Sequence, residues 1–338
     1  MSKESKAIAG VLLRVLSIIL VMETVFYFMT PKQYKDIGYL INIHRATTKV
    51  VPPGFGFDEV DPLLGYSKTK STLQAQGFNV VSNCVLLSTT DDTTGMINIL
   101  ITGGSTSDLS LYPNNWPVKL CAILKEHGIK AKLYCAGVGG YNSGQELLKL
   151  IRDGLETGPW VHISYSGANE FFDPSYVSTY EQVFYETEFN KGPGSLLLPN
   201  TVLFMRDLLK LKQQVVTLRQ NPPAPIVKFW EKNMRLMHGI STENNYRFVG
   251  FLQPVMGSGK FHQQIRGHDE SIAQYRKLYP ELRKAAGEHP DFLVDLTTIF
   301  DTCKGNVFMD NCHINDPYQE IVAQNIFTGL VEKKIFNQ

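Results

Sequence analysis

The sequence predicts an α/β fold: a mostly parallel β-sheet with helices on both faces, behind an apolar N-terminal segment. Three observations lead there. From Met96 onward, short apolar runs rich in β-branched residues alternate with longer stretches whose apolar residues recur at helical spacing. Single helices between such strands imply crossover connections and hence parallel neighbours. Several of the apolar runs end in glycine, at the strand ends where open α/β sheets place their ligands.

The elements follow in order. Residues 1–7 form a short tail containing Lys3 and Lys6. Residues 8–29, "IAGVLLRVLSIILVMETVFYFM", would span roughly 33 Å as a helix, enough for a bilayer core. Arg14 and Glu23 interrupt this run at a cost of about 2.5–3.5 kcal/mol each at mid-membrane, less where long side chains snorkel to an interface. No small-x-small cleavage site follows, so an uncleaved anchor fits better than a removed signal peptide. The competing reading is an amphipathic or buried first helix of a soluble protein. Lys32 and Lys35 offset the N-terminal lysines, and the short tail favours export of the bulk of the chain.

Residues 30–95 read as an irregular stalk with weak strands, marked by Pro31, "VPPGFGF" and "TTDDTTG". The domain expected over 96–338 begins with a strand at Met96–Ile101. A helix in "WPVKLCAILKEHG" and a strand in "KAKLYCAGV" follow, then a helix in "SGQELLKLIRDGLETG" with Ser143 as its cap. "WVHISYSG" is the third strand. Residues 171–198 show no clear period, "TVLFMRDLLKLKQQVVTL" is helical and "YRFVGFLQPV" is a strand. "ESIAQYRKLYPELRKAAGE" is a helix and "FLVDL" the last strand. The tail helix starts with Asp316 as cap and Pro317 at its first position.

Composition excludes some classes. The 338 residues carry a formal net charge of +1, without the basic excess of a nucleic-acid binder. Five cysteines, an odd number with no CxxC pair, argue against a disulfide-built scaffold or a familiar zinc site; Cys303 and Cys312 remain a possible bridge in an oxidising compartment.

Four short stretches fall at the carboxyl ends of the predicted strands. In "TGGSTSD", Gly103 and Gly104 permit a tight turn that sets Ser105 at a helix N-terminus, where N–H groups favour developing negative charge. Alone this is more often plain turn chemistry. In "CAGVGGYNSG", Gly137, Gly139 and Gly140 allow close backbone approach. A dinucleotide reading fails because position 142 is Asn142 and no acidic residue ends the next strand. In "SGANE", Asn169 offers an amide donor, or an ordinary Asx turn. In "DNCH", Asp310 three residues before His313 can fold back onto the imidazole and fix its tautomer. Together the four supply a nucleophile, a base with its orienting acid, and oxyanion donors.

With these blocks in this order, the sequence resembles the SGNH, or GDSL-like, esterases and lipases. "TGGSTSD", "AGVGGYNS", "SGANE" and "DNCH" stand where that family has its serine, glycine, asparagine and histidine blocks, over residues 96–334. "DPLLGY" at 61–66 looks like a segment preceding the domain in membrane-anchored bacterial members. The resemblance implies a three-layer α/β/α, flavodoxin-like domain. It also implies catalytic Ser105, Asp310 and His313, and oxyanion donors from the Ser105 and Gly140 N–H groups and the Asn169 amide. Two departures stand out: Gly104 replaces the acidic residue of the name-giving motif, and Glu170 replaces the usual Asp after Asn169.

The expected activity is a metal-free, cofactor-free serine esterase acting on an acyl ester, for example on an acylated envelope glycan or lipid. It is expected to be held by a single span at 8–29 on the extracytoplasmic (periplasmic) side. An O-acyltransferase with the same triad is the alternative. A non-catalytic glycan-binding member is another, with the aromatic-acidic run "EFFDPSYVSTYEQVFYETEF" as its sugar surface.

Overall fold

The computed structural model describes residues 59–61, 63–170, 223–265 and 267–336. The expected anchor at 8–29, the unpatterned segment 171–198 and the helix expected over 201–218 lie outside these residues. Among the described residues no helix is long and apolar enough to cross a membrane.

Nine strands and six α-helices are described. Strands β1 (Glu59–Asp61) and β2 (Gly65–Ser67) form a small antiparallel pair. The main sheet contains β3 (Val80–Val81), β4 (Cys84–Ser88), β5 (Ile97–Gly103), β6 (Ala131–Cys135), β7 (Val161–Ser166), β8 (Arg247–Leu252) and β9 (Leu293–Asp295). Its order is β3-β4-β6-β5-β7-β8-β9. The ladders from β6 across to β9 are parallel, whereas β3–β4 and β4–β6 are antiparallel. The sheet is therefore mixed, not simply parallel throughout, because a hairpin from before residue 96 adds to its edge. That hairpin turns through Ser82 and Asn83, both with positive φ, the two-residue loop whose twist suits antiparallel strands. The compact unit thus begins upstream of the boundary expected at residue 96.

The helices are α1 (Lys70–Ala75), α2 (Trp116–Glu126), α3 (Ser143–Lys149), α4 (Pro223–Glu243), α5 (Asp269–Glu288) and α6 (Asp316–Glu332). Helix α4 has no counterpart among the elements the sequence predicts. The caps also shift by one residue. Asn142, not Ser143, caps α3, accepting from Gly144 N and Gln145 N while Gln145 Oε1 accepts from Asn142 N. Asn315, not Asp316, is the N-cap of α6.

Alternation along β5 sorts the core into two layers. Ile99 and Ile101 pack with Leu120 and Leu124 of α2 and Val322 and Ile326 of α6. Leu100, on the opposite face, joins Trp230 and Met234 of α4 and Tyr279 and Leu282 of α5. Helices thus cover both faces, and the carboxyl ends of β5, β6 and β7 share one edge. All five cysteines are free, including Cys303 and Cys312.

Candidate active site

Strand β5 is central, with β6 on one side and β7 on the other, so its terminal turn lies between theirs. After Gly103 the chain enters a 3-10 turn, Ser105–Ser107, capped by Gly104. The loop after β6 lies against this turn, with Val138 N donating to Gly103 O. Gly140 on that loop has φ +81°, a backbone conformation glycine adopts without penalty. The loop after β7 carries Asn169, whose Nδ2 donates to Tyr141 O at 2.8 Å. A Cβ on Gly104 would stand 2.4 Å from that Nδ2, so the Asn169 amide rests directly on the backbone beside Ser105. Any side chain at position 104, an acidic one included, would displace it. Among the described residues neither the Ser105 nor the Gly140 backbone N–H donates to another group.

The histidine block is held by a short hairpin. Phe308 and Ile314 form an antiparallel bridge, and Met309 N donates to His313 O. Within it Asp310 Oδ1 accepts from Cys312 N at 2.9 Å and His313 N at 2.7 Å, an Asx-type turn. This leaves Asp310 Oδ2 against His313 Nδ1 at 2.6 Å. His313 Nε2 in turn lies 2.7 Å from Ser105 Oγ. Residues separated by more than two hundred positions are thereby joined in one hydrogen-bonded chain. Burial alone would raise the Asp310 carboxyl, but its bonds to the His313 ring and to the two backbone N–H groups outweigh this and hold it at about 2. It is therefore ionised at neutral pH, holding the proton on Nδ1 and leaving Nε2 as the acceptor facing Ser105. Tyr112 covers the imidazole, ring centroids 5.1 Å apart.

Asp310, Cys312 and His313 also place a carboxylate oxygen, a sulfur and a ring nitrogen within 4.8 Å of one another. The chemistry of that set does not suit a metal. Asp310 is already bonded to two backbone N–H groups and to the imidazole, and each ring nitrogen of His313 already has a hydrogen-bond partner.

Behind the site lies a buried polar layer that no local sequence pattern marks. Asp108, at the end of "TGGSTSD", accepts from Gly139 N at 3.0 Å and from Ser110 N and Oγ. Burial pushes its carboxyl up, opposed by Lys68, whose Nζ lies 3.5 Å away. Glu146 of α3, fully buried, accepts from Thr102 Oγ1 at 2.9 Å and Ser164 Oγ at 2.6 Å. Thr102 Oγ1 also lies 2.9 Å from His162 Nε2. Burial pushes His162 down to about 3, leaving it neutral with Nδ1 bare. Burial likewise lifts Glu146 to about 8 and Glu170 to about 7. Glu170 takes both the N–H and the hydroxyl of Ser143.

No protein-family model matches the sequence, and no curated protein matches it. Solved structures do. An acetyl xylan esterase is similar at 16% identity over 69% of this chain and 100% of its own, with a TM-score of 0.46. A putative GDSL-like lipase from Parabacteroides merdae shares 14% identity over 71% of this chain and 96% of its own, TM-score 0.44. A mutant acetyl-xylooligosaccharide esterase from Geobacillus Stearmophilus shares 11% over 71% and 96%, TM-score 0.44. These likenesses concern the fold. The roles of individual residues rest on the distances given above.

Proposed function

We propose that this chain is a serine esterase of the SGNH, GDSL-like type, with Ser105 as nucleophile, His313 as general base and Asp310 as its orienting acid. The observation that carries the reading is the continuous contact Ser105 Oγ–His313 Nε2–Asp310, at 2.7 and 2.6 Å, at the carboxyl end of the central strand. A structural histidine is satisfied by any nearby polar group. It does not need a serine on a glycine turn at one side and a carboxylate held by two backbone N–H groups at the other.

In the proposed reaction His313 Nε2 takes the Ser105 proton as Oγ attacks the ester carbonyl. The oxyanion is received by the Ser105 and Gly140 N–H groups and by the Asn169 amide hydrogen not given to Tyr141. Collapse expels the alcohol, which takes the proton from His313, and leaves an acyl-Ser105 ester. Water then adds with His313 again as base, and the acid is released. The expected substrate is an acyl ester of an envelope glycan or lipid, met by a chain tethered through residues 8–29.

The test is hydrolysis of a short-chain aryl acyl ester by the full chain in detergent, with Ser105→Ala and His313→Ala beside it. Turnover lost in both variants, with the wild type labelled by a fluorophosphonate, supports the assignment. Activity surviving both substitutions overturns it. Label passing from an acyl donor into polysaccharide instead of water would move the reading to acyl transfer by the same residues.

A further inference from the structure

The two side donors of the proposed oxyanion site come from loops that no ladder connects. Gly140 follows β6 and Asn169 follows β7, and β5 runs between those strands, so the strands that carry the two loops lie about 9–10 Å apart. Donors that act on developing charge must be held to a fraction of an ångström. Something other than the sheet has to fix one loop against the other.

Glu170 is placed to do this. It follows Asn169 directly and is 1% exposed, although it carries a carboxylate. Oε1 accepts from Ser143 N at 2.7 Å and Ser166 Oγ at 3.3 Å, and Oε2 accepts from Ser143 Oγ at 2.9 Å. Ser143 is the first residue of α3, three positions after Gly140, and its hydroxyl is also held by Asn233 of α4 at 2.9 Å. The carboxylate thus ties the end of β7 to the start of α3, while Asn169 ties itself to Tyr141 between them. A group buried at this depth is costly unless all its bonds are made. Here both oxygens are used, and both reach across to Ser143 in the other donor loop.

We propose that Glu170 is a positioning residue that clamps the Asn169 loop to the Gly140 loop and so sets the spacing of the oxyanion donors. The inference rests on the esterase reading. It makes reach, not charge, the decisive property. Glu170→Asp keeps the carboxylate but withdraws it by roughly 1.5 Å, one carbon–carbon bond, breaking both contacts to Ser143. Glu170→Gln keeps the reach: its carbonyl can accept from Ser143 N, and its amide can donate to the Ser143 hydroxyl.

The experiment measures kcat and KM on a short acyl ester for the full-length wild type, Glu170→Asp, Glu170→Gln and Ser143→Ala, per active site titrated with a fluorophosphonate. Affinity for a boronate that forms a tetrahedral adduct on serine is measured in parallel. The expected order is wild type, then Glu170→Gln within fivefold, then Ser143→Ala, then Glu170→Asp lowered about 10–10² fold in kcat. KM should stay within about twofold, and boronate affinity should fall in step with kcat. A merely structural role would lower melting temperature and the titratable fraction without changing kcat per site. Wild-type kcat per titrated site in Glu170→Asp overturns the clamp while the esterase reading stands. Should that variant not fold, unchanged kcat and boronate affinity in Ser143→Ala has the same effect. A wild type with no ester turnover removes the esterase reading itself, and the clamp with it.

Discussion

Gly104 offers a sharp test of how the site is built, because its role is a matter of space alone. A methyl at this position would lie 2.4 Å from Asn169 Nδ2 and 3.1 Å from Tyr141 O, where ordinary contact begins near 3.4 Å. The Asn169 amide must therefore retreat by about 1 Å and give up its bond to Tyr141, since the backbone on either side is fixed by β5 and β7. Gly104 itself has φ −84° and ψ −154°, extended geometry open to alanine, so the substitution brings no backbone strain. A misplacement of this size costs about 10²-fold, and full loss of one oxyanion donor about 10²–10³, or roughly 2.7–4 kcal/mol of transition-state stabilisation. Gly104→Ala should accordingly lower kcat on a short acyl ester by about 10²-fold while KM changes little. Fluorophosphonate titration counts the intact sites, and thermal melting checks the fold. A variant that melts like the wild type and turns over within threefold of it would refute the placement of Asn169 in the oxyanion site.

Three further outcomes follow from the same geometry. In Asp310→Asn the side-chain oxygen keeps the two backbone N–H bonds and turns the NH₂ toward His313 Nδ1. The ring proton is thereby forced onto Nε2, and kcat should fall about 10³–10⁴ fold; a loss under tenfold would show that Asp310 does not set the tautomer. Glu146, lifted to about 8 by burial, favours the folded state when protonated. Its contribution is full below the unfolded value of about 4.5 and is lost as pH rises toward 8. Glu146→Gln, which mimics the protonated acid, should therefore gain stability over the wild type on going from pH 5 to pH 9, on the order of 2–4 kcal/mol, and parallel melting curves would contradict this. Lys68→Met leaves the buried Asp108 without its cation and should destabilise by up to about 3 kcal/mol, with Lys68→Met/Asp108→Asn recovering part of the loss. Additive losses in denaturant melts would mean the two charges are not coupled.

Much of this architecture is visible in the residues themselves. The five- to seven-residue apolar strands β5, β6 and β7 are read from composition and their terminal glycines, and Asp310-x-x-His313 from spacing. What escapes does so for physical reasons. Helix α4 opens with Pro223 and Pro225, which look like breakers but sit in a first turn where no N–H is needed. Its buried stripe Ile226, Trp230, Met234 and Met237 was the available signal. The β3–β4 hairpin turns on Ser82-Asn83 instead of the usual Asn-Gly and is too short to show a period. Asp108, Glu146 and Glu170 are single acids whose importance comes from burial, which no local pattern encodes. Gly104 reads as a departure from a motif until the coordinates show that an amide occupies the space a side chain would need.

The hairpin and small sheet ahead of residue 96 bear on any attempt to cut the protein down. Gln145 of α3 hydrogen-bonds Leu64 O, Arg152 pairs with Asp61, and β4 supplies the outer neighbour of β6. A fragment beginning at Met96 would lose Lys68 from beside Asp108 and would bare the β6 backbone as a sticky, unpaired edge. Expression trials that discard the upstream segment as a spacer should yield aggregates, whereas fragments starting before Glu59 keep the edge covered and the loops carrying Gly140 and Asn169 braced.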